Sequence, residues 1–93
     1  MRYLETSGAF RKQLKLMLRR GKPEGDIKLV ITLLATDEPL HAKLRDHALT
    51  GNFVGFRDCH IQPDWLLIYK KFDTEDGRGL LRLEATGTHS DLF

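Results

Sequence analysis

Cysteine is almost missing from this sequence. The one residue, Cys59, cannot close an internal disulfide, which fits a reducing compartment. No apolar run approaches the roughly 18 residues that a membrane-spanning helix requires. The opening residues "MRYLETSGAF" lack a signal-peptide apolar stretch, so a cytoplasmic protein with no membrane partner is expected. Only three prolines occur, and there is no linker-like, low-complexity or repeated segment. Residues 1–93 are expected to form one domain around one core. The close spacings that build zinc sites, such as CxxC and HxxxH, are also missing, and no metal or other cofactor is expected.

What is present is an ordinary globular composition, 41% hydrophobic and 30% charged, which sets disorder aside. The net charge of +2 conceals an asymmetry. Residues 1–50 hold ten Lys and Arg against six Asp and Glu, whereas residues 51–93 hold five against seven. In "RKQLKLMLRRGK" (11–22) every charged side chain is basic. Such a stripe attracts phosphates or an acidic protein segment, although a solvated helix face explains the charge alone equally well.

Hydrophobic spacing organises the chain. "RYLETS" (2–7) can form a short strand. Phe10, Leu14, Met17 and Leu18 then fall on one helical stripe, with Ser7 as N-cap and Gly21 and Pro23 as the stop. A second helix is expected from a cap at Asp26, carrying Ile27, Val30, Ile31 and Leu34, and its few charges predict that it is mostly buried. Residues 37–52 read as an irregular connection. Strands follow at "FVGFRDCH" (53–60), "WLLIYKKF" (65–72) and "LLRLEAT" (80–86). The apolar run Trp65–Tyr69 predicts a central strand covered on both faces. In the last strand Leu81, Leu83 and Ala85 are expected to pack, while Arg82, Glu84 and Thr86 meet water. Helices first and strands afterwards give an α+β domain, two helices on one face of a small antiparallel sheet.

Chemistry concentrates at strand ends and loops. His60 ends the first long strand, Asp64 begins the next across a Pro-containing turn, His89 follows the last strand, and His47 precedes the sheet. Along that first strand Phe53, Gly55, Arg57 and Cys59 share one side, and Val54, Phe56, Asp58 and His60 the other. Imidazoles exchange protons near neutrality. Cleaving an RNA phosphodiester needs that twice, to remove the 2′-hydroxyl proton and to protonate the leaving 5′-oxygen. Arg57, Lys70, Lys71 or Arg82 could stabilise the phosphoryl charge. Each histidine taken alone is more often structural than catalytic. Cys59 reads as a structural thiol, His41 as a surface loop residue, Trp65 and Tyr69 as core, and Ser90 as a cap for the closing turn.

"LRDHALTGNFVGFRDCHIQPDWLLIYK" (44–70) and "EATGTHSDLF" (84–93) together resemble the YafQ branch of the RelE/ParE superfamily of bacterial toxins. The resemblance is strong over residues 43–93 and covers little beyond helix order before them. It implies the RelE-like microbial RNase fold and a metal-independent endoribonuclease that cleaves mRNA in the A site of the 70S ribosome. It also implies a cognate antitoxin, usually of the ribbon-helix-helix type, through which alone the toxin meets operator DNA. By the same resemblance His47, His60, Asp64, His89 and Phe93 are the site, with Arg57, Lys70 and Arg82 expected to hold substrate. Relatives commonly carry arginine where this chain has Ala85. Two alternatives stay open: a ParE-like gyrase inhibitor that cleaves no RNA, and an inactive antitoxin-binding component.

Overall fold

Ser7 starts the helical layer. In the computed structural model, which describes residues 1–93, its hydroxyl accepts the Phe10 N–H at 2.8 Å and donates to the Glu84 carbonyl at 2.6 Å. One side chain thus caps helix α1 (Gly8–Arg19) and fastens it to the last strand. The expected stripe points inward, with Phe10 and Met17 buried and Leu14 packed at the core margin. Gly21, at φ +89°, ends the helix in a conformation that other residues rarely adopt.

Helix α2 (Glu24–Ala35) begins earlier than expected. Pro23 occupies the cap position with no side-chain hydrogen bond, and Asp26 lies inside the first turn. The proline ring fixes φ and so presets the helical start, while Glu24 and Asp26 complement the positive end of the helix dipole. Freed from capping, Asp26 accepts a hydrogen bond from Gln62 Nε2 at 3.1 Å, tying the helix to the sheet. Nor is α2 mostly buried. Ile27, Val30, Leu34 and Ala35 face the core, but Leu29 is 61% exposed.

Five strands form one sheet in the order β1-β5-β4-β3-β2. They are β1 (Tyr3–Thr6), β2 (His47–Ala48), β3 (Arg57–Gln62), β4 (Trp65–Asp73) and β5 (Gly79–Gly87). β1 runs parallel to β5, and every other pairing is antiparallel. The α+β layering is as expected, with the parallel edge strand as a refinement. Trp65 to Tyr69 are all buried, so the central strand is covered on both faces as its continuous apolar run predicts. One face, carrying Trp65, Leu67, Tyr69, Leu81 and Leu83, joins the helices in a single apolar cluster. Each of these large side chains contributes about 1.5–3 kcal/mol by leaving water.

Two strand boundaries differ from the hydrophobic pattern. Residues 53–56 are not strand: Gly51–Phe53 is a 3-10 turn, and Gly55 has φ +91°, which breaks the extended run before β3 starts at Arg57. The connection before it is less irregular than expected, since His47 and Ala48 pair with Asp58 and Arg57. In β5 the alternation fails at Glu84. Tyr69 pairs with Leu83 and Ile68 with Ala85, leaving Glu84 as an extra residue. Beyond this bulge the two faces exchange occupants. Ala85 leaves the helix side, and Thr86 is fully buried there rather than wet. Thr86 accepts the Trp65 indole N–H at 2.9 Å, donates to the Leu66 carbonyl at 2.7 Å, and its N–H reaches Gln13 on α1.

Candidate active site

The register gathers the site on the face that the helices leave uncovered. His47, Asp58, Ile68 and Ala85 form one cross-strand row over β2, β3, β4 and β5. His60, Leu66 and Gly87 form the adjacent row on the same face. Residues at strand positions i and i+2 share a side, so His60 stands next to Asp58 along β3.

Arg45 precedes this row in a left-handed conformation, φ +50°, and its carbonyl accepts a hydrogen bond from His47 Nδ1 at 2.7 Å. The same ring nitrogen lies 3.4 Å from Asp58 Oδ1. His60 Nδ1 faces the Pro63 carbonyl at 3.2 Å. Carbonyl oxygen only accepts, so both rings carry hydrogen on Nδ1 and present a bare Nε2 when neutral. Asp58 is 3% exposed, and its Oδ1 has no hydrogen-bond partner. Burial raises its carboxyl above the ordinary range, and His47, His60 and His89 each pull it back down while Asp46 adds to the rise. All three imidazoles thus lie within electrostatic reach of one carboxylate. Asp58 was not singled out from sequence, although its alternation with His60 was the available signal.

His89 opens helix α3 (His89–Leu92), whose start is a capping box between Thr88 and Asp91. Thr88, not Ser90, is the cap. Asp91 also binds Arg20 at the end of α1 at 2.8 Å, and these donors hold its carboxyl down at about 2. Gly87 lets the chain pass, because a Cβ there would lie 3.0 Å from the Asp91 Cβ. Asp64 Oδ1 accepts the His89 backbone N–H at 3.3 Å, linking the β3–β4 turn to the tail. The Phe93 ring centroid lies 5.1 Å from that of His89 and 5.9 Å from that of Phe53, edge-on to the latter. The ring is nevertheless 55% exposed, which leaves it a surface to offer.

The cationic candidates separate. Arg57 shares the helix-side face with its register partner Tyr69 and is held by Asp46 through two contacts of 3.3 Å. Tyr69 donates to the same carboxylate at 2.5 Å. Arg82 is on the histidine-bearing face but is neutralised by Glu5 at 2.6 Å and Glu84 at 3.2 Å. Lys71 is paired with Asp37. Lys70, opposite Arg82, forms no ion pair and sits between the Phe56 and Phe72 rings at 5.7 and 5.8 Å. Burial pushes the Cys59 thiol up to about 12, which suits a structural residue and not a nucleophile. His41 caps a 3-10 turn on the surface, accepting the Lys43 N–H. A cavity of about 430 Å³ flanks His60, with Lys43, Arg45 and Gln62 in its lining. No helix is long and apolar enough to cross a membrane.

Comparison with known proteins identifies the family to which this fold belongs. The model of the family described as "Bacterial toxin of type II toxin-antitoxin system, YafQ" matches residues 2–93. The mRNA interferase toxin YafQ of Escherichia coli K12 is 45% identical over 99% of this chain and 96% of its own. The crystal structure of YafQ from E. coli BL21(DE3) has a TM-score of 0.88 at 44% identity, covering 100% of this chain and 99% of that one. YafQ in the crystal structure of the E. coli DinJ–YafQ toxin–antitoxin complex gives 0.86 at 45% identity, covering 99% and 97%. The fold is thus that of the RelE/ParE superfamily of bacterial toxins. Within that class the chain belongs to the YafQ family.

Proposed function

We propose that this chain is the toxin of a type II toxin–antitoxin pair and an mRNA interferase, an endoribonuclease that cuts messenger RNA presented by the ribosome. The observation that carries the chemistry is the arrangement of His47, His60 and His89 around one buried carboxylate on the sheet face opposite α1 and α2. His47, with Nδ1 occupied by the Arg45 carbonyl, offers Nε2 to remove the 2′-hydroxyl proton. His60 has the same ring polarity and supports that step. His89 donates the proton to the leaving 5′-oxygen. Asp64 holds the His89 backbone, and Phe93 stacks on or braces a nucleotide beside the scissile bond.

Lys70 is the cation best suited to the developing phosphoryl charge, because Arg57 lies on the other face and Arg82 is already paired. Ala85 stands in the same row as His47 and Asp58, so an arginine at that position would face the site, and Lys70 replaces part of its effect. No step in this scheme calls on a metal. A cognate antitoxin neutralises the toxin in the cytoplasm, and a ribbon-helix-helix antitoxin would bring it to operator DNA.

Mapping 5′ ends on mRNA from 70S ribosomes incubated with the purified chain tests the proposal. New ends within the A-site codon are expected, and none should arise from free RNA. Intact mRNA in growth-arrested cells, with damaged DNA instead, would replace this reading by gyrase inhibition.

A further inference from the structure

We propose that Asp58 is a positioning residue of this site, a buried counter-charge that acts through His47 by stabilising the imidazolium formed there. The inference rests on the nuclease reading and adds a residue that reading does not use.

A purely structural buried carboxylate is normally satisfied by hydrogen bonds. Asp58 departs from that rule: it is 3% exposed, and its Oδ1 has no hydrogen-bond partner. Its place in the β2–β3–β4 register sets it directly opposite His47, with the fully buried Ile68 on its other side. The Arg45 carbonyl already takes the hydrogen on His47 Nδ1 at 2.7 Å, while Asp58 Oδ1 stands at 3.4 Å. Asp58 therefore acts through charge, and the Arg45 carbonyl fixes the tautomer. Once Nε2 has accepted a proton, the half-exposed ring is a cation beside a buried anion, and the burial of the carboxylate limits the screening by water.

The charged groups facing this carboxylate come from three directions. They are His47 on β2 with Asp46 just before it, His60 on the same strand, and His89 on α3. Burial pushes the carboxyl up, and among the imidazoles His47 opposes the rise most. Coupling of this kind is reciprocal, so whatever the imidazolium does for the carboxylate, the carboxylate does for the imidazolium.

Carbon-detected NMR titration of the free toxin gives the first test. The Asp58 carboxyl should titrate above the other aspartates, and its midpoint should rise further in His47→Ala. A midpoint indifferent to His47→Ala overturns the proposal. The second test is Asp58→Asn assayed on programmed ribosomes. Cleavage should fall at least tenfold, with ribosome affinity unchanged, an altered pH–rate profile, and a Tm no lower than the parent's. Cleavage at the parental rate with the parental pH profile also overturns it. If Asp58→Asn fails to fold, the titrations of the parent and of His47→Ala still decide. A parent chain that leaves ribosome-bound mRNA intact removes the nuclease reading and this inference with it. Cleavage by the parent alongside an unresponsive Asp58 removes this inference alone.

Discussion

The two faces of the sheet bury side chains to opposite ends. On the helix side Trp65, Leu67, Tyr69, Leu81 and Leu83 are closed off together with α1 and α2, and the polar atoms enclosed there are satisfied. Tyr69, for instance, donates to Asp46. The other face also buries Leu66, Ile68 and Ala85, but among them it holds a carboxylate oxygen with no partner, with His47 and His60 beside it. Burial of satisfied groups stabilises a fold, whereas burial of an unsatisfied charge costs stability and persists where chemistry uses it. One sheet does both because successive residues of a strand point to opposite sides.

Substitutions on the two faces should therefore separate activity from stability. The largest effect is expected from His89→Ala. Ribosome-dependent cleavage should drop by about 10²–10⁴-fold, with an unchanged thermal unfolding curve. Near-parental cleavage in this variant would remove His89 from the chemistry.

Leu67→Ala is the mirror case. It should lower the unfolding free energy by about 2–5 kcal/mol in denaturant titrations, while the folded fraction keeps its specific activity. A loss of catalysis beyond the loss of folded protein would break the separation of the faces.

Lys70→Ala and Arg57→Ala sharpen the comparison further, since both remove one cation from the sheet. Lys70→Ala is expected to reduce kcat by about tenfold, equivalent to about 1.4 kcal/mol of transition-state stabilisation. Arg57→Ala breaks the contact with Asp46 and should leave kcat near the parental value. Single-turnover kinetics on stalled ribosomes would expose a reversal of the pair.

The smallest effect concerns the tail. Asp91, held at about 2 by Arg20 and Thr88, has its folded-state carboxyl below the ordinary value of about 3.9. Its ordering influence on residues 89–93 is fully present above that ordinary value. It fades only as pH falls through about 4 towards 2. Backbone NMR relaxation of these residues should thus stay flat from pH 8 to 5 and loosen below 4. Asp91→Asn should loosen them at neutral pH and cost cleavage only a few-fold.

Much of this was legible in the chain. The stripe Phe10, Leu14, Met17, the Ser7 cap and the unbroken run Trp65–Tyr69 express local periodicity and burial, and each has its counterpart in the fold. The α2 start was misplaced because Asp26 is an acceptable cap by residue type, and only the conformation set by Pro23 decides against it. The strand predicted over 53–60 fails at Gly55, where a positive φ interrupts an otherwise convincing alternation. Of the site, the histidines come from the resemblance, and alternation along the first long strand already sets Arg57 on the side away from Asp58 and His60. The placement of Asp58 opposite His47 and of Lys70 opposite Arg82 depends instead on cross-strand register. Register is a relation between distant segments, and no window of sequence contains it.

The extra residue at Glu84 has a consequence for how this site can change. Past that position each side chain lies on the face opposite to the one a regular count from Leu83 would give it. Deleting Glu84 would restore regular pairing and leave Ala85 opposite Ile68 and Thr86 opposite Leu67, so both faces would keep their occupants. The strand therefore holds one residue in reserve, and a single-residue loss at that point need not rewrite the reactive surface.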